Sequence, residues 1–248
     1  MKAPFLLPCL LGLASLLNAD AQQPLIPPLP RGPLLNNAPN YAQWLISVSS
    51  QPFQLDSQTP PTKFDSRTLE RKTGSIREQI SIAKDQPKLD TWIEGATQCE
   101  SIEGQKDPRV VLQGNSTFGT DYIDFSKGDF FGFDWIKKKN YYGQKNVMGQ
   151  KCILFHISPP PDPSTAGPSA APATAAAASP TPDPLETGTT ACIAIDTRLP
   201  VVLKETDQTT FYEFQQPPSA PLAPPPQIQA QFDKLNAAVK RMTTVPAP

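Results

Sequence analysis

Two stretches, Val147–Ile157 (VMGQKCILFHI) and Ala191–Glu205 (ACIAIDTRLPVVLKE), decide the fold. Both are short runs of β-branched, aromatic and aliphatic residues punctuated by Gly, Asp and Pro, which marks strands rather than helices. An antiparallel pairing with Ile157 opposite Ala191 sets Phe155 against Ile193 and Ile153 against Ile195 on one face. The other face then pairs Leu154 with Ala194 and His156 with Cys192. Both faces are largely apolar, so both need a cover, or one lines a cavity. In this register Cys152 and Cys192 share a face four residues out of step. That is about 13 Å at ~3.4 Å per residue, beyond the reach of a disulfide.

Between these runs, Ser158–Thr190 holds nine prolines and eight alanines and no apolar period. Such a segment cannot bury enough apolar surface to offset the entropy of ordering, so a disordered loop in place of a hairpin turn is expected. Gln22–Pro39 and Pro217–Pro226 are two further proline-rich stretches that read as unpacked. At the start, Lys2, the apolar run Ala3–Leu17 and the small-x-small site Ala19-Asp20-Ala21 form a secretory signal cut after Ala21. That places the mature chain in a bacterial periplasm or outside the cell. Cys9 lies too far upstream of the cut to be a lipidated cysteine. The expected organisation is a signal peptide over 1–21, a Pro-rich leader over 22–40, and one β domain over 41–248 interrupted by the disordered insert 158–190.

Most of the remaining chain reads as strand. Gln43–Ser49 alternates, with Trp44, Ile46 and Val48 on one face, and Ser75–Ala83 carries Ile76, Ile80 and Ile82 in a looser alternation. Lys88–Ala96, Arg109–Gly114, Val147–Ile157, Ala191–Asp196, Val201–Glu205 and Thr209–Phe214 are further strands. Short spacers predict an antiparallel meander, since parallel strands need longer crossovers. One helix is expected over Gln227–Met242, where Ile228, Phe232, Leu235, Val239 and Met242 form a single apolar stripe for packing on the sheet.

The net charge of -1 gives no basic stripe to displace counterions from a nucleic acid, and no later window is apolar enough to span a membrane. Three mature cysteines, Cys99, Cys152 and Cys192, allow at most one internal bridge, and Cys99 could pair with either of the others. No G-x-S-x-G, H-E-x-x-H, C-x-x-C or phosphate-binding glycine loop occurs. Any histidine chemistry rests on His156, whose apposition to Cys192 would allow a thiolate–imidazole pair without an orienting acid. Asp121, Asp124, Asp129 and Asp134 lack EF-hand spacing and read as solvated loop carboxylates. Neither a cofactor nor a metal is expected, and the chain does not read as an enzyme.

The segment Tyr122–Tyr142 holds Tyr122, Phe125, Phe130, Phe131, Phe133, Trp135, Tyr141 and Tyr142, eight of the 20 aromatics of the chain. One reading is an irregular plug at one end of a curved sheet. The other is a flexible wall or lid over an apolar ligand.

The Gly149–Phe155 strand followed by Ala191–Val201 resembles the late strands of LolA/LolB-like periplasmic proteins, in which a G-x-x-x-y-x-f strand leads to an x-I-D-x-x-t-x-L-P-v hairpin. Thr210–Phe214 and the proline-then-helix tail fit the same pattern, so the likeness spans about residues 147 to 215. The Pro/Ala insert interrupts the motif strands, and the aromatic segment has no counterpart in it. The resemblance implies an antiparallel half-barrel around helices, with a hydrophobic cavity for acyl chains of lipids or lipoproteins. The expected fold is therefore mainly β (α+β), a curved half-barrel-like antiparallel sheet with a C-terminal helix. The expected function is non-enzymatic binding or carriage of a hydrophobic ligand outside the cytoplasm. The alternative is an envelope protein–protein interaction module with a filled core, which deletion of residues 159–189 would separate from a carrier.

Overall fold

The computed structural model describes residues 26–95, 97–112, 125, 128–159, 185 and 187–243; the expected signal segment and most of the Pro/Ala stretch lie outside them. Eleven strands are found among these residues: β1 (Tyr41–Ser49), β2 (Ser66–Thr73), β3 (Ile76–Ala83), β4 (Leu89–Glu94), β5 (Thr97–Ile102), β6 (Arg109–Leu112), β7 (Tyr141–Val147), β8 (Gln150–Ile157), β9 (Thr189–Ala194), β10 (Pro200–Lys204) and β11 (Thr209–Gln215). They make one open sheet in the order β6-β5-β4-β3-β2-β1-β11-β10-β9-β8-β7. Two meanders, β1 to β6 and β7 to β11, are joined where β1 pairs antiparallel with β11. The link from β6 to β7 carries the chain from one edge of the sheet to the other.

Three strands escape a reading by apolar pattern. β2, SRTLERKT, is polar on both faces and is a strand because β1 and β3 pair with it along its whole length. β5 carries few apolar residues, and β7 begins within the aromatic segment. Val147–Ile157 is not one strand. Met148 and Gly149, with φ of 50° and 78°, form a two-residue turn between β7 and β8. Two consecutive positive φ values match the right-handed twist of the flanking strands.

β8 and β9 pair as neighbours, two residues away from the expected register. Ile157 faces Thr189, Phe155 faces Ala191, Leu154 faces Cys192 and Ile153 faces Ile193. An even shift keeps every side chain on its face, so both faces of the pair remain apolar, and both are covered. On one face Trp44, Ile153, Phe155, Ile193 and Leu203 pack with Phe130 and Phe133. On the other, Cys152, Leu154, Cys192, Val202 and Phe211 pack with Phe53, Leu55 and Leu185. Gly188, at φ +85°, begins β9 so close to β8 that a Cβ would stand 2.2 Å from the carbonyl oxygen of Ile157.

The leader does not lie free over the residues described. Leu29, Leu34, Leu35 and Ala38 pack against the first apolar cluster. The backbone N–H of Asn36 donates to Arg198 O at 2.8 Å, and Gln144 Nε2 donates to Pro28 O at 3.1 Å. Prolines have no N–H to satisfy, so a Pro-rich extended segment has fewer backbone donors to pair while its leucines reach the sheet.

The helix α1 (Pro226–Thr243) packs Ile228 and Phe232, both about 1% exposed, on Trp92 of β4 and Cys99 of β5. It is not long and apolar enough to cross a membrane, nor is any other described helix. Cys99, Cys152 and Cys192 are buried as free thiols. Cys99 lies under α1 in a different cluster from the other two, seven strands away from Cys192 in the sheet order, so the pairing left open by the sequence is not made.

Candidate functional site

The described aromatics of the Tyr122–Tyr142 segment are divided between the two faces of the sheet. Tyr122 lies outside the described residues. Phe130 and Phe133 are core side chains, 7% and 3% exposed, set edge-on to Tyr212. Trp135 packs beside them, its indole N–H donating to Gly132 O at 2.8 Å. Tyr141 joins this face through Phe155, whereas Tyr142 packs on the opposite face beside His156. Phe131 is 39% exposed and edge-on to Phe125, whose ring lies 4.0 Å beneath the Arg77 guanidinium.

The thiolate–imidazole pair is not formed, because the register shift puts Thr190 opposite His156 and Leu154 opposite Cys192. His156 Nδ1 is 2.9 Å from the Thr190 hydroxyl. Burial pushes the Cys192 thiol well above its ordinary value and the Cys152 thiol up to about 11, the reverse of what a nucleophile needs. Asp121 and Asp124 are outside the described residues. Among those described, no three His, Cys, Asp or Glu side chains converge on a metal position.

Asp129 is no solvated loop acid. It is 5% exposed and paired with two cations on the sheet, Lys72 at 2.9 Å and Arg77. Burial raises its carboxyl, but the hydrogen bonds from Arg77 and Lys72 outweigh burial and hold it below the usual carboxylate range. On the same face Gln79 donates to Glu70 Oε1 at 2.7 Å, while Glu70 Oε2 and Arg77 Nη1 have no partner. The alternating Glu70/Lys72 and Arg77/Gln79 are all polar, so no apolar period announces that this face is buried.

Burial raises the Glu70 carboxyl to about 7, with Gln79 and Arg77 pulling it down. A folded-state value above the unfolded one means that the folded protein binds more protons between the two. Stability is then lost as pH rises from about 4.5 to about 7. Asp129 has the opposite sign, and its contribution is lost only below about 3.8. Glu70→Gln removes the first effect. Its stability relative to the parent should rise by roughly 2–3 kcal/mol between pH 4.5 and pH 8, read from urea unfolding at both. A constant difference at the two pH values would refute this assignment.

Among the described residues, a parting within the sheet is shaped to receive an apolar ligand. β11 pairs with β1 over Thr209–Gln215, but with β10 only over Thr209–Phe211. The β10–β11 pairing stops at Val202 opposite Phe211, while β10 stays paired with β9 through a register irregularity between Pro200 and Val202, and Pro200 has no N–H to give to a neighbour. Arg198, at φ 60°, turns the chain, and Leu199 O is taken by Ala194 N–H. A cavity of about 510 Å³ opens beside Tyr212–Phe214. Its walls are mostly apolar: Leu45, Phe64, Met148, Ala194, Leu199, Val201 and Phe211. None of the seven described aromatics from that segment lines it.

Towards β3 the same face continues as a row of Leu45, Leu69 and Ile80, all half-buried, and Ile82, which is 57% exposed. The apolar run of β8 to β10 pointed towards this region. The residues that finish it, Leu45, Phe64 and Arg67, carry no distinguishing sequence signal. No protein-family model matches the chain, and no significantly similar curated protein was found.

Proposed function

We propose that the protein is a non-enzymatic, extracytoplasmic binder or carrier of an apolar chain, an acyl group of a lipid or lipoprotein, held in the parting between β10 and β11. The observation that carries this reading is the apolar cavity of about 510 Å³, within the roughly 300–1,000 Å³ typical of small-ligand sites. Tyr212–Gln215 have no partner on β10, which leaves room for an apolar chain beside β11. Further support comes from β8 to β11, the strands that carry the LolA/LolB-like resemblance, because residues on all four of them line the cavity. The N-terminal signal supports the extracytoplasmic setting.

Native mass spectrometry with lipid extraction, on mature protein purified from a bacterial periplasm, tests the reading. A co-purifying acyl lipid of defined stoichiometry is expected, and Leu45→Gln should reduce its occupancy about tenfold by placing an amide on the cavity wall. A clean apo mass, together with no uptake of an added fatty acid, would remove the carrier reading.

A further inference from the structure

We propose that the ligand in the parting is a single-chain amphipath with an anionic oxygen head, and that Arg67 receives the head. This rests on the carrier reading above and specifies the ligand class. Two formal charges line the cavity, Arg67 and Glu213. Arg67 stands on β2 opposite Ser47, and Glu213 stands on β11 opposite Leu45. They flank β1 two strand spacings apart and one two-residue step out of line, which separates their backbones by about 12 Å. No carboxylate among the described residues, Glu213 included, forms an ion pair with Arg67.

The guanidinium of Arg67 is stacked 4.4 Å above the Phe64 ring. Phe64 in turn meets Phe211 edge-on at 6.1 Å. Exposed cation, half-buried ring and buried ring follow one another inwards from the mouth of the cavity. Stacking occupies the face of the guanidinium and leaves its N–H edge free to fork onto a carboxylate or phosphate. A head held there sends its chain past Phe64 and Phe211 towards Leu199 and Val201, and exposed Ile82 opposite Arg67 widens the apolar footing outside. A neutral lipid gains nothing from this arrangement, whereas an anionic one gains a preorganised partner whose position is already fixed by the ring beneath it.

The test is displacement of a fluorescent fatty acid from the full mature chain by oleate, by monooleyl phosphate and by monooleoylglycerol, which share one chain and differ in the head. The two anions should bind at least about tenfold tighter than the neutral lipid, equivalent to about 1.4 kcal/mol. Arg67→Gln should bring both anions down to the level of monooleoylglycerol without changing the latter, and Glu213→Gln should keep the preference. The order of the two anions identifies the natural head as carboxylate or phosphate. Equal binding of all three by the parent, or a tenfold preference that survives in Arg67→Gln, overturns this inference and leaves the carrier reading standing. Binding of none overturns both. Arg67 is exposed, and an unchanged melting temperature of the variant excludes a folding defect.

Discussion

Asp129→Ala is expected to destabilise the protein by about 3–5 kcal/mol, because it removes the carboxylate shared by two buried cations, Lys72 and Arg77. Lys72 is 8% exposed and Arg77 6%, so water cannot take over the role of the carboxylate. Other partners remain: the Ala38 carbonyl at 3.3 Å from Lys72 Nζ and the Phe125 ring under Arg77 carry no charge, and burial holds the neighbouring Glu70 carboxyl protonated up to about 7. The backbone N–H of Asp129, which donates to Asn37 Oδ1 at 3.3 Å, is retained in the variant, so the cost reports the side-chain carboxylate. Chemical unfolding followed by circular dichroism measures the cost. Replacing Lys72 and Arg77 by Met in the Asp129→Ala background should recover most of it, since the penalty belongs to the stranded charges rather than to the missing attraction. A loss below about 1 kcal/mol in the single variant would mean that the cluster is solvated and is not the tie between segment and sheet.

Trp44→Ala should cost a similar amount, about 3–5 kcal/mol, by opening a cavity at the seam between the two meanders. Trp44 is fully buried on β1, stacked with Phe214 of β11 at 5.8 Å and set against Phe130 at 5.9 Å. It therefore supports the strand pair that joins β1–β6 to β7–β11, together with the segment that covers that pair. Its indole N–H has no acceptor. Trp44→Phe keeps an aromatic ring and removes the orphaned donor, and should cost no more than about half as much as the alanine variant. Trp135→Ala serves as the comparison, because that side chain is half-buried at the margin of the same cluster. Denaturant midpoints of the three variants give the ranking. Equal effects from Trp44→Ala and Trp135→Ala would show that the seam is not where the packing energy lies.

These two results bear on what an apolar pattern can reveal. The strands β1, β4, β8, β9, β10 and β11 are legible because each hides apolar side chains, β3 and β6 because of their β-branched residues, and α1 because Ile228 and Phe232 fall one turn apart in its stripe. β2 is not legible, because its buried positions are Glu70 and Lys72. A polar residue can be buried only when a partner arrives from elsewhere, and the partner of Lys72, Asp129, is 57 residues away in sequence. The leader is misread for a related reason. Composition reports the absence of a regular element, whereas the packing of Leu29, Leu34 and Leu35 depends on a sheet face built by residues more than 100 positions later.

The amino-acid sequence by itself determines that the protein is mainly antiparallel β, that β8 and β9 are apolar on both faces, and that one amphipathic helix closes the chain. Those properties follow from local spacing, which fixes the face on which a side chain lies. Only the tertiary structure decides the register of β8 on β9, the closing of the two meanders through β1 and β11, and the burial of Asp129 between two cations. It also decides that the start of β10 leaves β11 and opens the cavity, with Arg67 brought to its mouth from a different meander. The physical reason is that register and site geometry are set by contacts between residues far apart in the chain, whose free energies exist only once both partners are in place.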